Sequence, residues 1–113
     1  MTVFALGEGA TVATDVTAAE TFGARFFGLM GRKRLGREEG LWLPRCRAVH
    51  TWFMRTAIDI VFVNADMRVV RVASQVVPWR LAGAVGATHV LELAPGRALA
   101  AGVRAGDRLV IRG

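Results

Sequence analysis

The stretch from His50 to Asp66, HTWFMRTAIDIVFVNAD, concentrates side chains that could do chemistry. An imidazole, a hydroxyl, an indole, a thioether and a guanidinium follow one another closely, and Asp59 stands at the head of an apolar run. His50 is the group suited to proton transfer near neutrality, because imidazole titrates there when unperturbed. In an extended segment His50, Trp52 and Met54 share one side, while Thr51 and Phe53 share the other. The histidine and the neighbouring hydroxyl therefore do not easily line one pocket. Arg55 and Asp59 lie four residues apart around an expected turn. They can form an ion pair that fixes the turn, or Arg55 can face a ligand carboxylate while Asp59 orients it. Trp79, in the phrase VVPWR, offers a second aromatic wall. Arg32 follows an expected helix, where a guanidinium either binds an anion or caps the last carbonyls. The candidate ligand-binding set is thus Arg32, His50, Trp52, Arg55, Asp59 and Trp79.

Several other chemistries have weaker support. Cys46 and His50 are four apart, but a thiolate–imidazole nucleophile also needs contact and an oxyanion hole. A lone cysteine is commonly a small buried hydrophobe. His89 alternates with Leu91 and Leu93, so it reads as a residue lining a sheet face. His50, His89, Asp59 and Glu92 are a chemically legal metal set, yet their separations match no ligand spacing. We expect no metal and no cofactor. Neither the phosphate-cradling GxxxxGK[ST] pattern nor a strand-led GxGxxG occurs, so nucleotide-dependent catalysis has no specific support.

Composition narrows the partners. The chain has 113 residues, 53% of them hydrophobic, and its mean hydropathy is positive. One domain with a substantial core is the natural expectation over residues 1–113. The formal charge is +6, carried almost wholly by arginine. A basic balance permits anionic partners, but the arginines are dispersed and the densest run, GRKRLGR, is short. Nucleic acid is therefore an unfavoured partner. The single cysteine excludes an intramolecular disulfide. No run reaches the roughly 18 apolar residues of a transmembrane helix, and the first residues do not resemble a signal peptide. The cytoplasm is the expected location. Oligomeric state is left open.

The elements that must position these residues are mostly strands. TVATD (11–15) reads as a short first strand. From Ala18 to Met30 the apolar period becomes helical, with Phe22, Phe26 and Leu29 on one face. Thr17 and Glu20 resemble a capping box. EGLWL is a strand ended by Pro44, and AVHTWFM is extended. IDIVFV and VVRVASQVV form a hairpin, the first strand apolar on both faces. PWRLAGAVGA reads as a loop, THVLEL as a strand, GRALAAGV as a short helical turn, and DRLVIR as a final strand. Ile60, Phe62, Val70, Val72, Leu91, Leu93, Leu109 and Ile111 are expected in one core. The predicted fold is mainly β. It is a small barrel-like or sandwich-like domain of short, mostly antiparallel strands, with one N-terminal helix and a short C-terminal helical turn.

The phrases RFFGLMGRKRL, EGLWLPRCRAVHTWFMRTAIDIVFVNADMRVV, VVPWR and VLELAPGRALAAGVRAGDRLVI occur here in that order. In them the chain resembles the uncharacterised family catalogued as domain of unknown function 192. The resemblance covers nearly the whole chain, from about Ala13 to Ile111. It implies a compact, mostly β domain and assigns no general activity. Many relatives carry a W-M-K/R-N-T phrase where this chain has WFMRTA. Some relatives have exporting or membrane-anchoring N-termini, a feature not seen in the present sequence.

The leading functional reading is a non-enzymatic domain that binds a small acidic ligand or a peptide carboxylate. The main alternative is a hydrolase-like or isomerase-like enzyme with His50 as its base. A third is a structural or interaction domain that associates through an apolar face.

Overall fold

The computed structural model describes residues 2–7, 9–18, 35–51 and 56–112. Among these residues the chain forms β1 (Val3–Leu6), β2 (Thr11–Ala13), β3 (Asp15–Ala18), β4 (Glu39–Leu43), β5 (Ala48–His50), β6 (Ile58–Val63), β7 (Val69–Val76), β8 (Leu81–Gly83), β9 (His89–Leu93), the helix α1 (Arg97–Ala101) and β10 (Leu109–Arg112). The centre is a five-stranded sheet in the order β3-β4-β9-β6-β7. Strands β3 and β4 run parallel, and the other neighbours in this sheet run antiparallel. A three-stranded sheet, β10-β1-β2, and a two-stranded ribbon, β5-β8, complete the described architecture.

The central strand β6 explains the layering. All six of its residues are buried, so both faces of the sheet must be covered. Side chains alternate across a strand, and the two apolar clusters divide accordingly. On the first face Val61, Val63, Leu91 and Leu93 pack with Phe4, Val12 and Leu109 of the three-stranded sheet and with Ala98 and Ala101 of α1. On the second face Ile58, Ile60, Phe62 and Val90 pack with Val49, and with the half-buried Ala82 and Ala84, of the ribbon. Each fully buried side chain of this size stabilises the fold by ~1.5–3 kcal/mol relative to exposure. At Gly40 the packing tolerates no side chain without adjustment. A Cβ there would lie 3.3 Å from Ala13 Cβ, Leu91 Cδ1 and Val16 Cγ2.

Several sequence expectations need correction. The expected single core is two clusters separated by the sheet: Leu91, Leu93 and Leu109 belong to one, Ile60 and Phe62 to the other. Ile111 is half exposed, because β10 is an edge strand of the three-stranded sheet. The sheet system is mixed. Among the described residues the one helix is α1, near the C-terminus, which corrects the expectation of an N-terminal helix plus a separate C-terminal turn. Thr17, expected as the N-cap of that earlier helix, and Ala18, expected as its first residue, instead pair with Leu41 and Trp42 as part of β3. The rest of that expected helix, with Phe22 and Phe26, lies outside the described residues. The phrase read as a loop, PWRLAGAVGA, contains the strand β8.

Candidate functional site

Asp59 is the best-defined acid of the group singled out in the sequence. It is fully buried in β6 on the first face of the sheet. Its Oδ1 accepts the backbone N–H of Gln75 at 2.8 Å and of Gly96 at 3.1 Å, and its Oδ2 accepts that of Ala98 at 2.8 Å. The local sequence creates this cradle. Strand β7 bulges opposite Asp59, with Gln75 at φ 50°, which turns a backbone N–H towards the carboxylate. Gly96, at φ 82°, brings the start of α1 onto the same group. One side chain thus ties the hairpin β6–β7 to α1, and its oxygens are occupied by backbone donors.

His50 and its neighbours occupy the opposite side of the sheet. In the ribbon Val49 pairs with Ala82 and His50 with Leu81. Val49 is buried in the second-face cluster, so His50 and Leu81 lie on the outer side of the ribbon. The polar hub here is Thr51, the hydroxyl next to the candidate base. Its side chain is buried, and its Oγ1 donates to the Val77 carbonyl at 2.7 Å and accepts the Arg80 N–H at 3.0 Å. Its backbone N–H donates to Arg80 O at 2.9 Å, and its carbonyl accepts the Trp79 N–H at 3.1 Å. These bonds hold Trp79 at φ 66°, a left-handed conformation uncommon for a large side chain, with the residue mostly exposed. His50–Thr51 and Val77–Arg80 are therefore joined in space, although Thr51 was not among the candidate residues. Arg32, Trp52 and Arg55 lie outside the described residues.

Glu92, weighed in the sequence only as one of four possible metal ligands, is the second buried acid. It sits in β9 between Leu41 of β4 and Ile60 of β6, on the second face. The residue is almost wholly buried, and neither carboxyl oxygen has a hydrogen-bond partner. Burial raises its pKa from 4.5 to about 8. Its carboxyl is therefore mainly protonated at neutral pH. His89, three residues earlier, faces the other way and stacks on Trp42 at a centroid distance of 5.1 Å. Its Nδ1 accepts the Arg45 backbone N–H at 3.0 Å. Desolvation, and then the nearby Arg45 charge, lower its pKa below 6.5. Cys46 donates its thiol to Ala48 O at 3.0 Å.

The four groups weighed as a metal set are consequently dispersed. Asp59 and His89 point to the first face, Glu92 to the second, and His50 stands on the outer ribbon. Among the described residues no cluster of three or more histidine, cysteine or acidic side chains has the geometry to hold a metal ion.

A cleft of about 470 Å³ opens at the end of β9, between Leu35 and Ala94 of the second-face cluster and the start of α1. Among the described residues its apolar wall is Leu35, Ala94, Pro95 and Ala100, and its polar wall includes Arg37, Thr56 and Arg97. Arg37 is exposed. Arg97 is anchored, its Nε donating to Val12 O and its Nη2 to Thr11 O, both at 2.9 Å. The Thr56 hydroxyl is buried without a hydrogen-bond partner. None of these cleft residues belonged to the candidate set. Only the polar Thr56 beside the expected turn could have drawn attention to the place.

Comparison with known proteins gives a consistent picture. The family model DUF192, "Uncharacterized ACR", matches residues 4–111. A UPF0127 protein of Pyrococcus furiosus is 37% identical over 108 residues, 90% of each chain. A Novosphingobium aromaticivorans protein of unknown function superposes with a TM-score of 0.81 at 29% identity, over 96% of this chain and 82% of the other. A Sinorhizobium meliloti protein described as a "putative transcription regulator" gives a TM-score of 0.78 at 25% identity, over 96% and 90% of the respective chains.

Proposed function

We propose that this chain, which belongs to the DUF192 family, is a binding domain for a small acidic ligand, seated in the cleft between Leu35 and α1. The observation that carries the reading is the Thr56 hydroxyl, buried and without a partner beside a cleft walled by Arg37 and Arg97. A buried polar group without a partner is costly, and a rotation of the Thr56 side chain towards the cleft would bring its hydroxyl to a ligand acceptor. The exposed guanidinium of Arg37 supplies attraction for an anion, while Leu35, Pro95 and Ala100 supply an apolar wall. Small-molecule sites commonly combine such walls with a few convergent polar groups. The role first considered for Arg55, an anion-facing guanidinium, is served in this reading by Arg37 and Arg97.

The test is a titration of isotope-labelled protein with short mono- and dicarboxylates, followed by amide chemical shifts. Shifts should concentrate on residues 35–37, 56 and 94–100. Thr56→Val and Arg37→Gln should each weaken binding by roughly tenfold, the usual effect of losing a hydrogen bond to a charged group. Shifts clustered elsewhere, or affinity unchanged in both variants, would overturn the assignment.

A further inference from the structure

The outer side of the ribbon is built inside out. Along residues 77–85 the small side chains of Ala82 and Ala84 turn inward against the second-face cluster. The large ones of Val77, Trp79, Leu81 and Val85 turn to solvent, and Leu81 and Val85 are 75% and 103% exposed. A period-two strand pattern normally buries its bulky members. Here the larger apolar groups form the surface. The display is rigid as well as apolar, because Thr51 clamps both ends of the 77–80 turn and holds Trp79 in its left-handed conformation.

The charge around this stripe is of one sign. Residues 40–58 and 67–91, which contain β5, β7, β8 and the turns between β7 and β9, hold no aspartate or glutamate. Arg47, Arg71 and Arg80 are exposed there. Arg71 reaches the ribbon directly, its Nη1 donating to Gly83 O at 2.6 Å. The Arg47 carbonyl accepts the Ala84 N–H at 3.3 Å, which places that arginine on the other flank.

We propose that the outer face of the β5–β8 ribbon docks on an anionic lipid surface, with Trp79, Leu81 and Val85 entering the interface and Arg47, Arg71 and Arg80 meeting phosphate head groups. Tryptophan suits that boundary because its indole has an apolar body and a polar N–H. Exposed arginines add electrostatic attraction to acidic head groups. Two features favour lipid over other occupants. A second copy of this chain would bring the same arginines against one another. A peptide held in a groove is not favoured, because Val77, Trp79, Leu81 and Val85 line neither the cleft beside α1 nor the hollows beside β10 and beside Arg45–Arg47. No helix of the described residues is long and apolar enough to cross a membrane. The contact proposed is therefore peripheral, and it is separate from the ligand cleft.

The experiment is co-sedimentation of the full chain with phosphatidylcholine vesicles and with vesicles rich in phosphatidylglycerol, whose anionic head groups attract basic side chains. Sedimentation is expected with the anionic vesicles, and it should weaken as salt is raised. The paired substitutions Leu81→Asp and Val85→Asp, with folding checked by circular dichroism, should weaken it by at least about tenfold. Equal sedimentation by the paired variant would reduce the effect to adsorption by arginine and overturn the proposal. So would failure to bind anionic vesicles at low salt. Capture of the ribbon by an acidic apolar peptide, with no vesicle binding, would assign the face to a protein partner instead.

Discussion

Asp59 and Glu92 stand on neighbouring strands, almost side by side, yet they point through opposite faces of one sheet. Asp59 pairs with Leu93 across the β6–β9 ladder, and Glu92 pairs with Ile60. Both are buried to the same degree. The first face gives its acid three backbone N–H donors. The second gives its acid only apolar cross-strand neighbours and no hydrogen bond. A buried carboxyl can be accommodated by satisfying the charge or by removing it. The two faces use one solution each. Asp59 has become part of the framework, while Glu92 is a carboxyl enclosed by apolar neighbours with its proton retained.

The largest effect should come from breaking the framework side. Asp59→Ala leaves the N–H groups of Gln75, Gly96 and Ala98 without their acceptor. The Ala98 donor is buried and those of Gln75 and Gly96 are partly so; an orphaned buried donor costs ~1–3 kcal/mol, so a total loss of roughly 3 kcal/mol is expected after water reaches the outer two. Asp59→Asn keeps one acceptor oxygen and should lose less. Urea unfolding of the three proteins measures the difference. A loss below ~1 kcal/mol in Asp59→Ala would mean that the cradle does not hold α1 against the hairpin.

The contrast between the two acids also marks how far sequence reading could go. The strands β4, β6, β7, β9 and β10 and the turn of helix at α1 were legible, because their apolar periods and their Gly or Pro stops are local features. Strand β8 was not, since its inward residues are alanines and its bulky residues face solvent. The site was only partly legible. His50 and Trp79 were both singled out, but Thr51, which ties their segments together, sits on the opposite parity from His50. Asp59 looked like a partner for Arg55 because sequence shows side chains and hides backbone donors. The bulge at Gln75 that supplies one of those donors has no local signature. Glu92 was weighed only as one member of a metal set, and nothing local in HVLEL announces its burial, because β9 is an interior strand with cover on both sides. Burial there depends on the ribbon and on chain far away in sequence.

The second prediction sharpens the comparison through pH. Glu92 has a folded-state pKa of about 8 against 4.5 when unperturbed. The folded protein therefore holds its proton through a range in which the unfolded chain releases it. Stability from this group is fully present below about pH 4.5 and falls as pH rises towards 8, with a slope of up to ~1.4 kcal/mol per pH unit. By pH 7 the accumulated loss is roughly 3 kcal/mol. Glu92→Leu removes the titration and fills the same apolar space, so its stability should be level across that window and exceed that of the parent at pH 8. Glu92→Gln should be level as well, though it retains a buried polar group. Denaturant midpoints at pH 5, 6, 7 and 8 provide the check. A slope that persists unchanged in Glu92→Leu would assign the pH dependence to another group.

The smallest effect belongs to His89, and its sign is opposite. His89 lies on the same strand as Glu92 but is only partly buried, beside Trp42 on the first face. Its Nδ1 accepts the Arg45 N–H, a bond available only to an imidazole with that nitrogen unprotonated. The neutral ring is thus the Nε2–H tautomer. Desolvation and the Arg45 charge both lower its pKa from 6.5. As pH falls through 6.5 the unfolded chain takes up a proton before the folded one, so this group's stability contribution is present above 6.5 and declines below it. Solvent screens most of that change. The useful observation is therefore spectroscopic: long-range nitrogen–proton correlations should report the Nε2–H form at pH 7 and a midpoint below 6.5. In Glu92→Leu the opposing slope is gone, and any residual loss of stability should appear only on the acid side. A His89 midpoint at or above 6.5, or an Nδ1–H tautomer, would contradict the Arg45 contact. It would also remove the acid-side counterpart to Glu92 from strand β9.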